Sequence, residues 1–269
     1  MIFVGLGMSR AEDMSVRALT TLRNCDEIFA EYYTSKLTDA SHRDVEAFIG
    51  KKVTVLKRGD VEEKDVIIKA ARDRRVAFIT AGDPMSATTH LDLRLRAVEE
   101  GISTDLINGV SIFTACAAAL GLQPYKFGRT VTIPLPEPGF LPSSPYENIL
   151  ENRSRGLHTL ILLDIKAEEN RYMTAPMAMQ WLLDAEERIG SGLVKSDSLF
   201  CAAARVGSPK QALFAGYPEE ILTVDLGPPL HCMVMPGRLH FMEARGLVAF
   251  ANAPREILDE GVSGSEPKQ

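Results

Sequence analysis

The sequence predicts an α/β protein of two domains, the first built on a parallel sheet that helices cover on both faces. Two observations lead to this fold class. Short, almost wholly apolar runs such as Val76–Thr80 alternate with longer segments whose apolar residues recur at helical spacing. Continuous apolar strands suit a sheet that is buried on both faces, and a strand–helix–strand order requires the crossover connections that join parallel strands.

In the first part of the chain, the pattern predicts five strands and four helices. The strands are Ile2–Gly7, Glu27–Tyr32, Lys52–Leu56, Val76–Thr80 and Thr104–Ile107. The helices are Met14–Asn24, Asp39–Ile49, Glu62–Arg74 and Thr88–Glu100. We expect Asp13 to cap the first helix, because its carboxylate can accept hydrogen bonds from the free amides of a helix start.

A second α/β domain with a mixed sheet is predicted to follow. Its strands are Thr130–Leu135, His158–Asp164, Ser198–Val206, Ala212–Tyr217 and Cys232–Met235. Its helices are Ser144–Arg155, Met173–Arg188 and Leu239–Phe250. We place the two domains at residues 1–113 and 114–258 and expect residues 259–269 to form a disordered tail.

Residues 134–145 read PLPEPGFLPSSP and hold five prolines in twelve positions. Proline has no amide donor and a fixed φ, so this segment is expected to be an ordered loop outside the sheet. Long loops of this kind often serve as lids or docking surfaces.

Composition narrows the class of partner. The net charge of −6 and the pI near 5.5 predict no general attraction to nucleic acid. The longest nearly apolar run, 112–122, is about half of the ~20 residues that span a membrane, and no basic stretch precedes the apolar start as in a signal peptide. The cysteines Cys25, Cys116, Cys201 and Cys232 form no CxxC pair, which predicts buried free thiols and a cytoplasmic protein.

Three glycine-containing turns follow predicted strands. They are Gly5-Leu6-Gly7, Gly82-Asp83-Pro84 and Asn108-Gly109, the last with Ser111 at a helix start. Ligands bind at the carboxyl ends of parallel strands, so the three turns together favour a binding site there. The alternatives are plain strand-to-helix turns, and an Asp83 that only caps a helix. The first turn lacks the third glycine of a dinucleotide fingerprint, since Arg10 occupies that position.

Other catalytic signatures are missing from the sequence. The five histidines (42, 90, 158, 231 and 240) form no tight ligand spacing, so no metal site is predicted. Neither GxSxG nor GxxxxGK[ST] occurs. His231 lies in a turn before an apolar strand, where it is either a structural histidine or a ligand contact.

Several longer motifs, in order along the chain, together resemble the diphthine synthase family. They are GLGM at the start, AEYYTSKL at 30–37, AGDPMSATTHLDLRLRA at 81–97, NGVSIF at 108–113, YKFGRTVTIPLPE at 125–137, SPYENILENRSRGLHTLILLDIKAEE at 144–169 and PPLHCMVMPGRLHFMEA at 228–244. The combination of GDPMSATTH with YKFGRT is far more specific than any single glycine turn.

This resemblance implies a tetrapyrrole-methylase-type fold (class III methyltransferase) with S-adenosylmethionine in the cleft between two α/β domains, and a homodimer. It implies trimethylation of the amino group of 3-amino-3-carboxypropyl-histidine on elongation factor 2, a step of diphthamide biosynthesis. No catalytic residue and no metal follow from it. The implied cofactor contacts are Met8, Asp83, Ser86, Ser111, Ile112, Leu163, Val206 and His231. Met8, Ser86 and Val206 depart from the family's usual leucine, valine and alanine.

Two further expectations concern the chemistry. Ring faces of Tyr32, Tyr33, Tyr125 and Phe127 are candidates to stabilise the cationic ammonium product, although ordinary core aromatics would also account for them. The competing functions are a C-methyltransferase of the same fold acting on a cobalamin-type tetrapyrrole, and a non-catalytic sensor of S-adenosylmethionine.

Overall fold

The protein's structure is a computed structural model, which describes residues 1–137 and 139–260. The chain folds into two compact units. The first unit comprises Met1–Ile112, Ile165–Arg171 and Gly207–Pro209, and the second comprises residues 113–164, 172–206 and 210 onward. The predicted domain bounds, 1–113 and 114–258, stay a prediction. Two short later segments, Ile165–Arg171 and Gly207–Pro209, belong to the first unit, and no pattern in the sequence indicates this. Residues 259–260 close a helix, and the rest of the predicted tail lies outside the described residues.

The first unit contains a five-stranded parallel sheet of order β3-β2-β4-β1-β5. Its strands are β1 (Ile2–Gly5), β2 (Glu27–Glu31), β3 (Thr54–Val55), β4 (Val76–Thr80) and β5 (Asp105–Ile107). Every residue of β1 and β4 is buried, as the continuous apolar runs predicted. The α/β class with a parallel sheet is confirmed for this unit.

The helices of the first unit differ from the prediction in two places. They are α1 (Val16–Arg23), α2 (His42–Ile49), α3 (Arg58–Glu62), α4 (Val66–Ala71) and α5 (His90–Glu99), with a 3-10 turn at Ala11–Asp13. The single helix predicted at 62–74 is wrong, since α3 ends at Glu62 and α4 begins at Val66. Asp65, between them, does not cap α4 with its side chain; its carboxylate accepts from Arg96 at 2.7 Å. Asp13 does not cap α1. Ser15 does so, accepting from the Ala18 amide, while the Asp13 carboxylate accepts from the amides of Ser9 and Arg10.

The second unit contains a mixed five-stranded sheet of order β11-β10-β12-β7-β6, in which only β6 and β7 are parallel. Its strands are β6 (Val131–Ile133), β7 (Thr159–Leu163), β10 (Phe200–Ala204), β11 (Ala212–Gly216) and β12 (His231–Met235); two short strands, β8 (Ile165–Lys166) and β9 (Arg171–Tyr172), follow β7. The predicted mixed sheet is confirmed.

The remaining helices begin with α6 at Ile112–Leu120. They continue with α7 (Ser144–Ser154), α8 (Ala175–Ile189), α9 (Pro218–Thr223), α10 (Phe241–Ala251) and α11 (Ile257–Glu260), and 3-10 turns lie at Pro124–Lys126 and Ala167–Glu169. Pro145 lies in the first turn of α7, where proline is tolerated, so the proline-rich loop ends before residue 144. Among the described residues, no helix combines the length and apolar character needed to cross a membrane.

The YKFGRT motif forms an internal support of the second unit. A side chain at Gly128 would begin 2.2 Å from Oδ1 of Asn152, which also accepts a hydrogen bond from the Arg129 amide at 3.0 Å. The Phe127 ring packs edge-on against His158 with centroids 5.3 Å apart. Packing within the unit therefore requires these residue types at this spacing.

A buried carboxylate, Glu243, joins this motif to α10. It accepts hydrogen bonds from the Lys126 ammonium, from His158 Nε2 at 3.0 Å, and from the amides of Gln123 and His240. Burial raises the pKa of Glu243, but the hydrogen bonds from His158, His240, Lys126 and Gln123 outweigh burial and lower that pKa from 4.5 to about 2.

We therefore predict that Glu243→Gln lowers the free energy of unfolding at neutral pH by roughly 3 kcal/mol, because it leaves buried donors without a charged acceptor. The folded-state pKa is depressed, so the stabilisation by Glu243 is present above pH 4.5 and is lost as the pH falls toward about 2. Denaturant unfolding across that pH range should show a smaller acid loss in the variant than in the wild type. The exposed Glu219→Gln is the control; equal acid losses in Glu243→Gln and the wild type would refute the assignment.

Candidate functional site

Three turns meet at the carboxyl edge of the first sheet. Strands β4 and β5 flank β1; Gly5 ends β1 at the start of its turn, and the turns after β4 and β5 contain Gly82 and Gly109. A Cβ added to Gly5 would lie 2.5 Å from both the Gly109 amide and the Gly82 carbonyl oxygen, and one added to Gly109 would lie 2.1 Å from that oxygen. The backbones therefore touch where no side chain fits, and the predicted convergence of the three turns is confirmed.

Asp83 links two of these turns through its carboxylate. Oδ1 accepts from the Met85 amide at 3.0 Å and the Ser86 hydroxyl at 3.2 Å. Oδ2 accepts from Asn108 Nδ2 at 2.9 Å and the Gly109 amide at 3.3 Å. Both carboxylate oxygens thus shape the rim of the sheet. A ligand group that reaches Asp83 would share an oxygen that the protein already holds in place.

The alternative in which Asp83 only caps a helix is wrong. Helix α5 begins at His90, and its N-cap position is Thr89. Ser111 and Ile112 follow the turn after β5, both half-buried, and α6 starts at Ile112. These two predicted contacts therefore lie on the strand-to-helix turn next to Asp83, in the same unit.

Met8 is held in a loop that distant segments of the first unit support. Its carbonyl oxygen accepts from the Thr38 amide at 3.3 Å. The Asp39 carboxylate accepts from the hydroxyl of Ser9 at 3.1 Å and from the hydroxyl of Ser208. A side chain at Gly207 would approach Met8 Cβ to 3.6 Å. Sequence reasoning found Met8 but missed Asp39 and Ser208, because these two are 169 positions apart and no periodic pattern connects them.

The other three predicted contacts lie at one edge of the second sheet. Leu163 ends β7, His231 begins the antiparallel neighbour β12, and Val206 lies just beyond the end of β10. Leu163, Val206 and His231 are all buried. The structure thus brings together the contacts within each unit: five at the first sheet's edge and three here.

The imidazole of His231 is fully hydrogen-bonded within the protein. Nε2 donates to the Gly227 carbonyl at 3.0 Å, and Nδ1 accepts from the Ala175 amide at 3.3 Å. Burial lowers the pKa of His231, which favours this neutral ring. The structural role of the ring is confirmed, and a ligand at this residue would meet its main chain or its ring face.

Arg205 is a site-shaping residue that the sequence analysis missed. It is buried with a positive φ of 47°, and its guanidinium donates to the carbonyls of Lys210 at 3.0 Å, Leu226 at 2.7 Å and Pro228. These bonds fix the chain on either side of the sheet edge, after Val206 and before His231. The available signal was an arginine directly following the apolar strand FCAAA.

The four aromatic candidates have different surroundings. Tyr33 is buried and has the Arg58 guanidinium 4.9 Å from its ring centre, so a protein cation already occupies one face. Phe127 packs on His158, whereas Tyr125 is 81% exposed. Burial raises the pKa of Tyr32 to about 12, which keeps its hydroxyl neutral. A role of these rings in binding an ammonium stays a prediction.

Among the residues that the structure describes, no group of three potential ligands is arranged to hold a metal ion. The four cysteines are free thiols and buried, as predicted. Cys116 and Cys232 lie with their sulfur atoms 3.5 Å apart inside the second unit.

Comparison with known proteins gives consistent relatives. The family described as Tetrapyrrole (Corrin/Porphyrin) Methylases matches residues 1–221. The diphthine synthase of Methanothermobacter thermautotrophicus is 43% identical over 256 residues, covering 95% of this chain and 97% of its own. That of Methanocella arvoryzae is 46% identical, covering 91% and 95%. A crystal structure of diphthine synthase is similar with a TM-score of 0.87 at 36% identity, covering 96% of this chain and 98% of its own.

The contact between the glycine turns generates a prediction. Gly109→Ala would force Cβ against the Gly82 carbonyl, so we expect a loss of about 1–3 kcal/mol in the free energy of unfolding. The control is Gly59→Ala in α3, whose Cβ would meet only the Glu63 side chain at 3.8 Å. Thermal unfolding of both variants tests this prediction. Equal unfolding temperatures for Gly109→Ala and Gly59→Ala would show that the turns accommodate the added Cβ without loss of stability.

Proposed function

Since the chain belongs to the diphthine synthases of the tetrapyrrole methylase family, we propose that it transfers methyl groups from S-adenosylmethionine to the amino group of 3-amino-3-carboxypropyl-histidine on elongation factor 2. It is a methyltransferase of diphthamide biosynthesis. The observation that carries this is identity above 40% over nearly the whole length of both chains.

We assign the binding of S-adenosylmethionine to the eight residues at the two sheet edges. They are Met8, Asp83, Ser86, Ser111, Ile112, Leu163, Val206 and His231. The glycine turns support this assignment, because a cradle of bare backbone that a Cβ would fill suits close approach by a ligand. Asp83 adds acceptor oxygens for the hydroxyls or the ammonium of such a ligand. We further propose that S-adenosylmethionine lies in a cleft between the two α/β domains.

The protein's contribution to the chemistry is binding and orientation. When bound, the cofactor supplies an electrophilic methyl group on its sulfonium. Hydrogen bonds to Asp83 hold the turns at Gly82 and Gly109 in a fixed shape. A cofactor bound on these turns would be held in one orientation toward the amine, and positioning of two reactants in this way can lower a barrier by ~7–11 kcal/mol. The accepting nitrogen has to be unprotonated at each transfer, so its ammonium form gives up one proton before each of the three methylations, and the third yields a quaternary ammonium that keeps its charge. No residue is assigned as the base.

Mass spectrometry of elongation factor 2 carrying the aminocarboxypropyl group tests the function. Incubation with this chain and S-adenosylmethionine should add one, two and then three methyl groups to the modified histidine. A cobalamin-precursor tetrapyrrole serves as the competing acceptor, since the matching family takes its name from such substrates. Methylation of the tetrapyrrole alone would favour the small-molecule enzyme, and binding of the cofactor without any transfer would favour a sensor.

We also propose that the chain acts in the cytoplasm as a homodimer. Support for the dimer comes from exposed apolar side chains on the second unit. Phe241, Met242 and Phe250 of α10 are 48%, 49% and 60% exposed, and Phe113 of α6 is 36% exposed. A second copy that covers these rings would remove a sizeable apolar area from water.

Asp83→Ala should weaken binding of S-adenosylmethionine by about tenfold or more, because it leaves the Met85 and Gly109 amides and the Asn108 amide group without their acceptor. Isothermal titration calorimetry measures the affinity. The control is Asp184→Ala, which removes an exposed carboxylate from α8. Unchanged affinity in a folded Asp83→Ala protein would remove Asp83 from the site.

Phe140 is an aromatic residue of the proline-rich loop that is 52% exposed, and its amide donates to the Glu137 carbonyl at 3.0 Å. If this loop docks the protein substrate, Phe140→Ala should raise the apparent KM for elongation factor 2 roughly fivefold and leave cofactor affinity unchanged. Val16→Ala, 81% exposed on α1, is the matched control. An equal fall in cofactor affinity would assign the loop to the cofactor site instead.

A further inference from the structure

Two family-typical motifs, AEYYTSKL at 30–37 and AGDPMSATTHLDLRLRA at 81–97, are longer than the cofactor contacts require. In the first unit they meet at a buried pair, Glu31 and His90, whose residues are 0% and 1% exposed. A buried carboxylate is costly unless hydrogen bonds satisfy it, so its presence there needs a structural reason.

Glu31 ends β2 beside Thr80, the last residue of β4. Its Oε1 accepts from the Thr80 hydroxyl at 2.7 Å, and its Oε2 accepts from the Thr34 amide at 2.9 Å. The carboxylate therefore joins the end of β4, immediately before the Gly82 turn, to the chain that leaves β2.

His90 also contacts this turn, through its imidazole ring. Its Nδ1 lies 3.0 Å from the carbonyl oxygen of Pro84, which also accepts from the Thr88 hydroxyl at 3.0 Å. A carbonyl only accepts, so Nδ1 carries the hydrogen and donates it. The ring packs edge-on against Phe78 with centroids 4.9 Å apart, and Glu31 Oε1 lies 3.6 Å from Nε2.

Nε2 of His90 is buried and has no hydrogen-bond partner among the residues that the structure describes. Burial lowers the pKa of His90, and the charges of Glu31 on β2 and Glu62 on α3 act against that shift. In the neutral ring Nε2 is an acceptor that no described donor reaches, so the side chain of His90 bonds the turn from Nδ1 to Pro84.

We propose that Glu31 and His90 are positioning residues for the methyl donor: His90 holds the Pro84 carbonyl, Glu31 holds Thr80 just before the same turn, and that turn presents Asp83 and Ser86. This rests on the proposed function, because Asp83 and Ser86 are proposed cofactor contacts. Neither Glu31 nor His90 needs to touch the cofactor, since both are buried behind the turn.

Two amide substitutions separate the ring nitrogens of His90. His90→Asn places an amide nitrogen at the level of Nδ1 and can keep the bond to Pro84, whereas His90→Gln places it near Nε2 and loses that bond. We expect His90→Asn to bind S-adenosylmethionine within about threefold of the wild type, and His90→Gln to bind roughly tenfold more weakly. The control is His42→Gln, since His42 is also the first residue of its helix but is exposed.

Amide hydrogen exchange gives a second measurement that needs no ligand. The Met85 amide donates to Asp83 Oδ1 and the Ser86 amide to the Asp83 carbonyl. Exchange at both should speed up in His90→Gln and not in His90→Asn, while amides of α8 in the second unit stay unchanged. For Glu31, the size-matched Glu31→Gln should bind the cofactor as the wild type does, and Glu31→Ala should behave like His90→Gln.

Equal effects of the two His90 variants, or no effect of either on affinity and exchange, would overturn the positioning role. A wild type that fails to bind S-adenosylmethionine would instead refute the proposed function. In that case exchange at Met85 and Ser86 still decides whether the pair holds the turn.

Discussion

The backbone contact between three glycine turns is the constraint on which the rest of the first unit depends. Parallel strands β1, β4 and β5 end side by side, and the turns after them approach until the Gly82 carbonyl and the Gly109 amide leave no room for a Cβ at Gly5. That approach leaves backbone polar groups close together at the rim, so they need partners. The Asp83 carboxylate provides them for the turns at 85–86 and 108–109.

The same logic recurs wherever a charged group is buried in this protein. Arg205 satisfies three main-chain carbonyls next to the edge of the second sheet, and Glu243 accepts from four donors beneath the YKFGRT motif. Each charge fixes chain segments that are far apart in sequence. For methyl transfer from a sulfonium, the protein mainly has to provide a rigid binding site, because the cofactor itself carries the reactive group.

Local pattern was sufficient for the strands of the two five-stranded sheets and for the glycine turns, but it missed the short strands β8 and β9 and the contacts between distant segments. Continuous apolar runs predicted β1 and β4, since burial on both faces leaves a signal in neighbouring residues. Asp13 was predicted to cap α1, but its carboxylate accepts from the amides of Ser9 and Arg10. The 3-10 turn at Ala11–Asp13, which the sequence pattern did not predict, turns Asp13 back toward these amides and leaves Ser15 to cap the helix. Asp39 and Ser208 were not predicted at all, because their contact joins parts of the chain that share no period.

Some residues of the motifs that made the family recognisable support the structure from within their unit. Gly128 faces Asn152, so a side chain there would clash, and a residue at position 31 without a side-chain acceptor would leave the Thr80 hydroxyl and the Thr34 amide without theirs. Met8, Ser86 and Val206 lie on turns whose shape is set by neighbours. If the ligand meets the main chain of those turns, the side chains can change while the supports behind them cannot. The sequence motifs that identify a family would then come more from the residues that support a binding site than from the residues that contact the ligand.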